Sequence, residues 1–182
     1  MKRNQSLNLP KKISKIKTKK VYVASAEDIR TGLGFGLFAR RNIKKGETIF
    51  IIKGKKIPLK INNSQDSSLL PNAIGIGREL WIDPKDTNPL VYLNHSCDPN
   101  SAIKGSVSIV ALKPIKKNEH ITIDYSITEG DKYWRLPGVC RCGAKNCRKI
   151  IRSIHSLPKQ TYQSYMPYIP QFLQKEYGNG VQ

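Results

Sequence analysis

The chain has 182 residues, 38% of them apolar and 25% charged, with a formal net charge of +19. That length suits one domain with a proper core and room for tails, and no apolar run is long enough to span a membrane as a helix. The basic start has no apolar stretch behind it, which argues against a secretory signal and for a cytoplasmic or nuclear protein, or one exported by an unmarked route.

Residues 1–20 hold eight Lys or Arg and no acid. Such a segment cannot bury enough apolar surface to order itself, and it reads as a flexible basic tail. Its field favours polyanions, nucleic acid before anionic membrane, through salt-sensitive contacts that read no bases; simple solubilisation is the other use.

Residues 21–29 start a β-prone stretch that leads into Gly32-Leu33-Gly34-Phe35-Gly36-Leu37-Phe38. A dinucleotide fingerprint would have to open a helix here. Instead a charged turn, Arg40–Gly46, follows at once, and then a strand over Glu47–Ile52. Residues 53–72 read as a turn and a loosely specified insert, and 73–83 as one or two short strands with Trp81 turned inward. The stretch Val91–Asn100, VYLNHSCDPN, runs from a hydrophobic approach read as a strand into four compact polar residues and then an Asp-Pro-Asn turn. That is how a rigid element delivers side chains to a site; a solvated turn is the alternative. Further strands are expected over 106–112 and 119–125, with a basic turn between them. Short strands, turn residues and no βαβ rhythm point to a β-rich single domain. Near the end, prolines limit helices to short pieces, the best being Pro170–Tyr177. Tyr162, Tyr165, Tyr168, Phe172 and Tyr177 could form an aromatic lid there, or a substrate-facing tail.

The four cysteines are Cys97, Cys140, Cys142 and Cys147. Four thiolates match tetrahedral zinc, free core thiols and disulfides being the alternatives. A zinc ion would clamp residues 140–147 beside the polar cluster, and a chelator should loosen them.

Taken together, Gly34-Phe35-Gly36, then Asn94-His95-Ser96-Cys97 with Asp98-Pro99-Asn100, then Ile121–Tyr125, then CRCGAKNC resemble the SET-domain protein lysine methyltransferases with a zinc-binding post-SET segment, in a small stand-alone bacterial, archaeal or viral form. The resemblance covers about Val21 to Ile151. It implies a mainly β fold with short helices, the β-clip of small twisted sheets with a pseudoknot-like threading in which the NHSC and IDY segments pack together. It divides the chain into a tail (1–20), a SET domain (21–127), a post-SET zinc segment (128–151) and a C-terminal extension of short helices (152–182).

The resemblance also implies the chemistry. S-adenosylmethionine would lie between Gly34, Phe35 and Gly36 on one side and Asn94 and His95 on the other, closed by Arg141 and Cys142. Tyr125 matches the family's catalytic tyrosine, with Tyr92, Ile103 and Ile123 beside it along the lysine channel. Cys97, Cys140, Cys142 and Cys147 match its four zinc ligands. A lysine ammonium, with a pKa near about 10.4 in water, must lose a proton before it can attack. A narrow apolar channel beside a sulfonium lowers that pKa. Tyr125 would align the amine, since a phenol is a poor base at neutral pH.

The chain departs from the family pattern at Ile51, Ile52 and Lys55, where a channel tyrosine is missing or replaced, and at Val91, where an Arg is common. Ile123 stands where several relatives carry Phe or Tyr, which leaves room for a methylated amine and hints at di- or trimethylation. The expected substrate is a histone or another basic protein. A nucleic acid- or nucleosome-binding scaffold of weak activity, or an enzyme for a non-histone protein such as a ribosomal one, are the alternatives. The size, composition and charge of the chain suggest secretion into a host and association with chromatin if it is bacterial.

Overall fold

The computed structural model describes residues 16, 18–26, 34–58, 72–85 and 87–180. Most of the basic tail, the glycine at position 32 and the insert at 59–71 lie outside them. The architecture is mainly β with short helices, a curled sheet of the β-clip kind.

Among the described residues ten strands form two sheets. β1 (Val21–Ala26), β2 (Gly34–Ala39), β10 (His120–Ile123), β8 (Ser101–Lys104), β9 (Ser108–Ala111) and β3 (Thr48–Ile51) follow one another across the larger sheet, and β7 (Asn94–His95) joins it at β10. β4 (Gly54–Pro58), β6 (Leu80–Pro84) and β5 (Ile74–Gly77) make the smaller one. β1 shows why these residues extend: Val21 and Val23 are buried while Tyr22 and Ala24 are only partly so, the period-2 alternation of a half-buried strand. β-Branched residues dominate the core, where Ile43, Ile103, Ile109, Ile115, Ile121, Ile123 and Ile127 are all fully buried with Leu37.

β10 is the centre of the sheet. Its first half pairs antiparallel with β2, Ile121 opposite Leu37. Its second half pairs parallel with β7, Thr122 opposite Asn94 and Ile123 opposite His95, and also parallel with β8. Parallel neighbours need long connections, so this pairing brings the middle and the end of the chain together.

Three elements differ from the sequence reading. The approach to Asn94 is a 3₁₀ turn over Pro89–Tyr92, because Pro89 fixes φ and the Asn88 side chain accepts from the Leu90 N–H at 3.0 Å. β4 arises in the stretch read as a turn, and β8 follows directly on the Asp-Pro-Asn turn. Both owe their extended form to partners, β6 and β9, rather than to their own composition.

The last residues form α1 (Lys159–Tyr165) and α2 (Gln171–Gly180). Their aromatic residues pack as a lid: Tyr165 and Tyr177 are buried in the main core, Tyr162 stacks on Tyr177 at 3.8 Å, and the Tyr168 carbonyl accepts the Ile103 N–H at 3.2 Å. At the other end Ile16 is buried in the same core, and Lys20 reaches Glu47 at 2.9 Å.

Hydrogen bonds from Arg41 and Lys20 outweigh partial burial and hold the Glu47 carboxyl down at about 2. A depressed carboxylate stabilises the fold above its unfolded pKa of about 4.3, and that contribution disappears as pH falls through the folded value. Glu47→Gln should therefore lower the urea midpoint by a constant amount above about pH 5. Its deficit against the unsubstituted chain should shrink toward pH 2. A deficit independent of pH would contradict the assignment.

Candidate functional site

The site is built where β7 and β10 run side by side. Beyond the paired residues, the Ser96 N–H donates to the Ile123 carbonyl at 3.0 Å, so backbone bonds continue from the strand pair into the polar cluster. Asn94 then turns to the glycine strand, its Nδ2 donating to the Phe35 carbonyl at 3.2 Å. Three segments far apart in sequence thus meet within a few residues. Gly36 is required there by close approach: a Cβ would come within 2.5 Å of the His120 ring and 2.8 Å of Ala26.

Tyr125 follows β10 at the start of a 3₁₀ turn over Tyr125–Thr128, capped by the Asp124 carboxylate accepting from the Ser126 N–H at 3.0 Å. Its hydroxyl donates to the Leu93 carbonyl at 3.0 Å, and its own N–H donates to His95 Nδ1 at 3.1 Å. The two rings lie 5.3 Å apart. Among the other expected channel residues, Ile103 and Ile123 are fully buried and Tyr92 is partly buried against the core. Arg141 is exposed and Cys142 half-buried on the segment facing this crossing.

The metal cluster corrects the expected ligand set. One ligand atom from each of His95, Cys97, Cys140 and Cys142 lies within 4.8 Å of every other. The fourth donor is therefore an imidazole and not the Cys147 thiol, which donates instead to the Cys140 carbonyl at 3.4 Å. Three thiols and one imidazole are as good a tetrahedral zinc set as four thiols, so the donors present fit a structural zinc ion. His95 Nε2 faces Cys97 Sγ at 3.4 Å. Because Nδ1 accepts the Tyr125 amide, the ring proton sits on Nε2, the atom that would bind a metal in its place.

Electrostatics prepare the cluster for a cation. Burial lowers the His95 pKa to about 4 against the pull of Asp124, keeping the ring neutral as ligation requires. Burial pushes the Cys97 thiol up to about 11 and raises Cys140 as well. Cys142 is opposed by the same burial, but the N–H groups of Cys97 and Ala144 and two neighbouring thiols bring it down to about 7. Cys142 is thus the thiol most readily ionised for a metal, and a bound ion's charge would favour the thiolate form of the others.

Behind the cluster is a network that no motif announced. Asp124, fully buried, accepts from Arg148 Nη2 at 2.6 Å and from the Tyr165 hydroxyl at 2.9 Å, and lies 3.7 Å from His95 Nδ1. It ties the cysteine segment and α1 to the crossing. Burial and the adjacent Asp124 carboxylate raise the Tyr165 pKa, so the phenol stays a donor. Its partners are 24 and 41 residues further along the chain, a distance at which local pattern gives no signal. Tyr165→Phe strands one buried carboxylate oxygen and should lower the unfolding free energy by about 1–3 kcal/mol, read from urea denaturation. An unchanged midpoint would contradict the closed network.

Comparison with known proteins agrees with this geometry. The SET domain family model matches residues 34–126, half of the chain. The chain is 32% identical to human histone-lysine N-methyltransferase 2B over 133 residues, 65% of this chain and 5% of that protein. It is 32% identical to the H3 lysine-4 specific histone-lysine N-methyltransferase of Emericella nidulans over 132 residues, 64% of this chain and 11% of that one. Arabidopsis thaliana histone-lysine N-methyltransferase ASHH3 is 28% identical over 166 residues, 81% of this chain and 45% of that protein. The chain thus spans a small part of the first two relatives and less than half of the third. Among the described residues no helix is long and apolar enough to cross a membrane. With the family model spanning the glycine strand, the polar cluster and the residues around Tyr125, this chain belongs to the SET-domain family.

Proposed function

We propose that the chain is an S-adenosylmethionine-dependent protein-lysine N-methyltransferase whose substrate is a basic, lysine-bearing protein, histones first. The observation that carries this reading is the fixed Tyr125 phenol, held by the Leu93 carbonyl at the meeting of the two segments. The names of the relatives, histone-lysine N-methyltransferases, support the same class. Bound S-adenosylmethionine would supply a sulfonium methyl for direct transfer to a lysine amine.

The chain's own residues would do the rest. With its hydrogen donated to Leu93, the Tyr125 hydroxyl oxygen would accept from the lysine amine and turn the nitrogen's own lone pair toward the donor. Tyr92, Ile103 and Ile123 would wall the amine's approach. Apolar walls disfavour the ammonium form, so the lysine would give up its proton to water before attack. The backbone of Gly34, Phe35 and Gly36, the Asn94 side chain, the His95 backbone and the Arg141–Cys142 segment would enclose the methyl donor. Zinc at His95, Cys97, Cys140 and Cys142 would hold that last segment in place and take no part in the transfer.

Incubation with isotopically labelled methyl donor and histones, nucleosomes or cell lysate tests the reading. Label should pass to a lysine, and Tyr125→Phe should cut the rate by about 10² or more with the melting temperature unchanged. Label on lysate bands but not on histones would move the substrate to a non-histone protein. Transfer to none of the three, in a folded protein that still binds DNA, would replace the enzyme with a binding scaffold.

A further inference from the structure

The folded domain carries one short pattern twice: Ile43-Lys44-Lys45-Gly46-Glu47 and Ile115-Lys116-Lys117-Asn118-Glu119. The two copies have the same conformation. Gly46 and Asn118 both take positive φ, 78° and 65°, the turn position that tolerates Gly and Asn best. Each glutamate folds back on its own turn, Glu47 accepting from the Lys44 N–H at 3.2 Å and Glu119 from the Lys116 N–H at 2.9 Å. The two isoleucines are buried and pair with each other antiparallel, their amides and carbonyls exchanging bonds of 2.8 and 2.9 Å. The turns are therefore locked side by side about an approximate two-fold axis.

This arrangement gathers charge of one sign. The Lys117 N–H donates to the Asn42 side chain at 2.8 Å, and the Gly46 N–H to the Ala111 carbonyl at 2.8 Å, so each Lys-Lys pair lies beside the start of the other turn. Arg40, Arg41, Lys44, Lys45, Lys113, Lys116 and Lys117 are all exposed along this band. Arg41 is held by Glu47, and Lys113 by Asp98 at 3.1 Å. Among the described residues, the four turn lysines have no carboxylate partner. Fixed like charges repel one another and work against the compact fold, and a polyanion relieves that repulsion.

We propose that Lys44, Lys45, Lys116 and Lys117 form one docking surface for the phosphate backbone of duplex nucleic acid, on the folded domain and next to the end of the basic segment at 1–20, whose Lys20 meets Glu47. A duplex presents closely spaced phosphates to such a band. The two polar side chains between the lysines are positioned by bonds to their oxygens, Asn42 Oδ1 accepting from the Lys117 N–H and Asn118 Oδ1 from the Tyr22 hydroxyl at 3.1 Å; the charges that face outward are lysine ammoniums, which suits backbone contact more than base reading. A bilayer surface fits less well, because none of the exposed large apolar side chains (Ile51, Tyr133, Val139, Ile150 and Met166) lies on either turn. The inference is independent of methyl transfer.

Fluorescence anisotropy with a labelled duplex of about 25 base pairs, titrated with the full chain at several salt concentrations, tests it. Replacing all four lysines by Ala should weaken binding about tenfold or more at low salt and reduce the slope of log affinity against log salt by about 3 to 4. The pair Lys44→Gln and Lys117→Gln should give about half that change in slope. An equal-charge control, Lys53, Lys55, Lys56 and Lys104 to Ala, should change the slope by clearly less. The proposal is overturned if the turn variants keep the original slope, if the control loses as much, or if anionic vesicles bind through these lysines and the duplex does not.

Discussion

The parallel pairing of Asn94-His95 with Thr122-Ile123 is the contact on which the rest of the site depends. Two backbone steps determine what each following residue meets. After Ile123 the chain presents Asp124 and Tyr125 to His95, and after His95 it presents Cys97 to the late cysteines. Parallel strands are slow to form because a long loop must close before any bond rewards it. Here the intervening hairpin of β8 and β9 shortens that search, since β8 pairs with the same late strand.

A buried carboxylate is costly unless its lone pairs are filled. Asp124 meets that condition with one donor from its own turn, one from the cysteine segment and one from α1. Arg148, from the segment carrying Cys140 and Cys142, and Tyr165, from the helical extension, both bond to the residue immediately before Tyr125. A metal held by the cluster would add a second tie from the same cysteine segment to the polar cluster, through His95 and Cys97.

Much of this was legible from the residues alone. The β-rich class followed from short apolar runs between turn residues, and the family from four motifs in order. The cysteines announced a metal, but the fourth donor was misread for a physical reason. Cys147 completes a thiol count, whereas His95 reaches the cluster only because β7 pairs with β10 and its ring turns back toward Cys97 two residues on. β8 was missed because Ser101–Lys104 is short and follows a turn, and its extended form comes from β9. The twin turns were visible as two basic loops, yet their equivalence depends on the Ile43–Ile115 bridge, a contact between residues far apart in sequence.

The central claim is that the late cysteine segment is fastened to the crossing of the middle and late strands by a metal. Native mass spectrometry of the reduced protein, followed by amide hydrogen exchange before and after chelation, tests it most directly. The account predicts one zinc ion per chain, with residues 94–97 and 140–147 losing protection together when it is removed while β8 and β9 keep theirs. A folded protein without zinc, or a chelated one in which only residues 140–147 loosen, would contradict it.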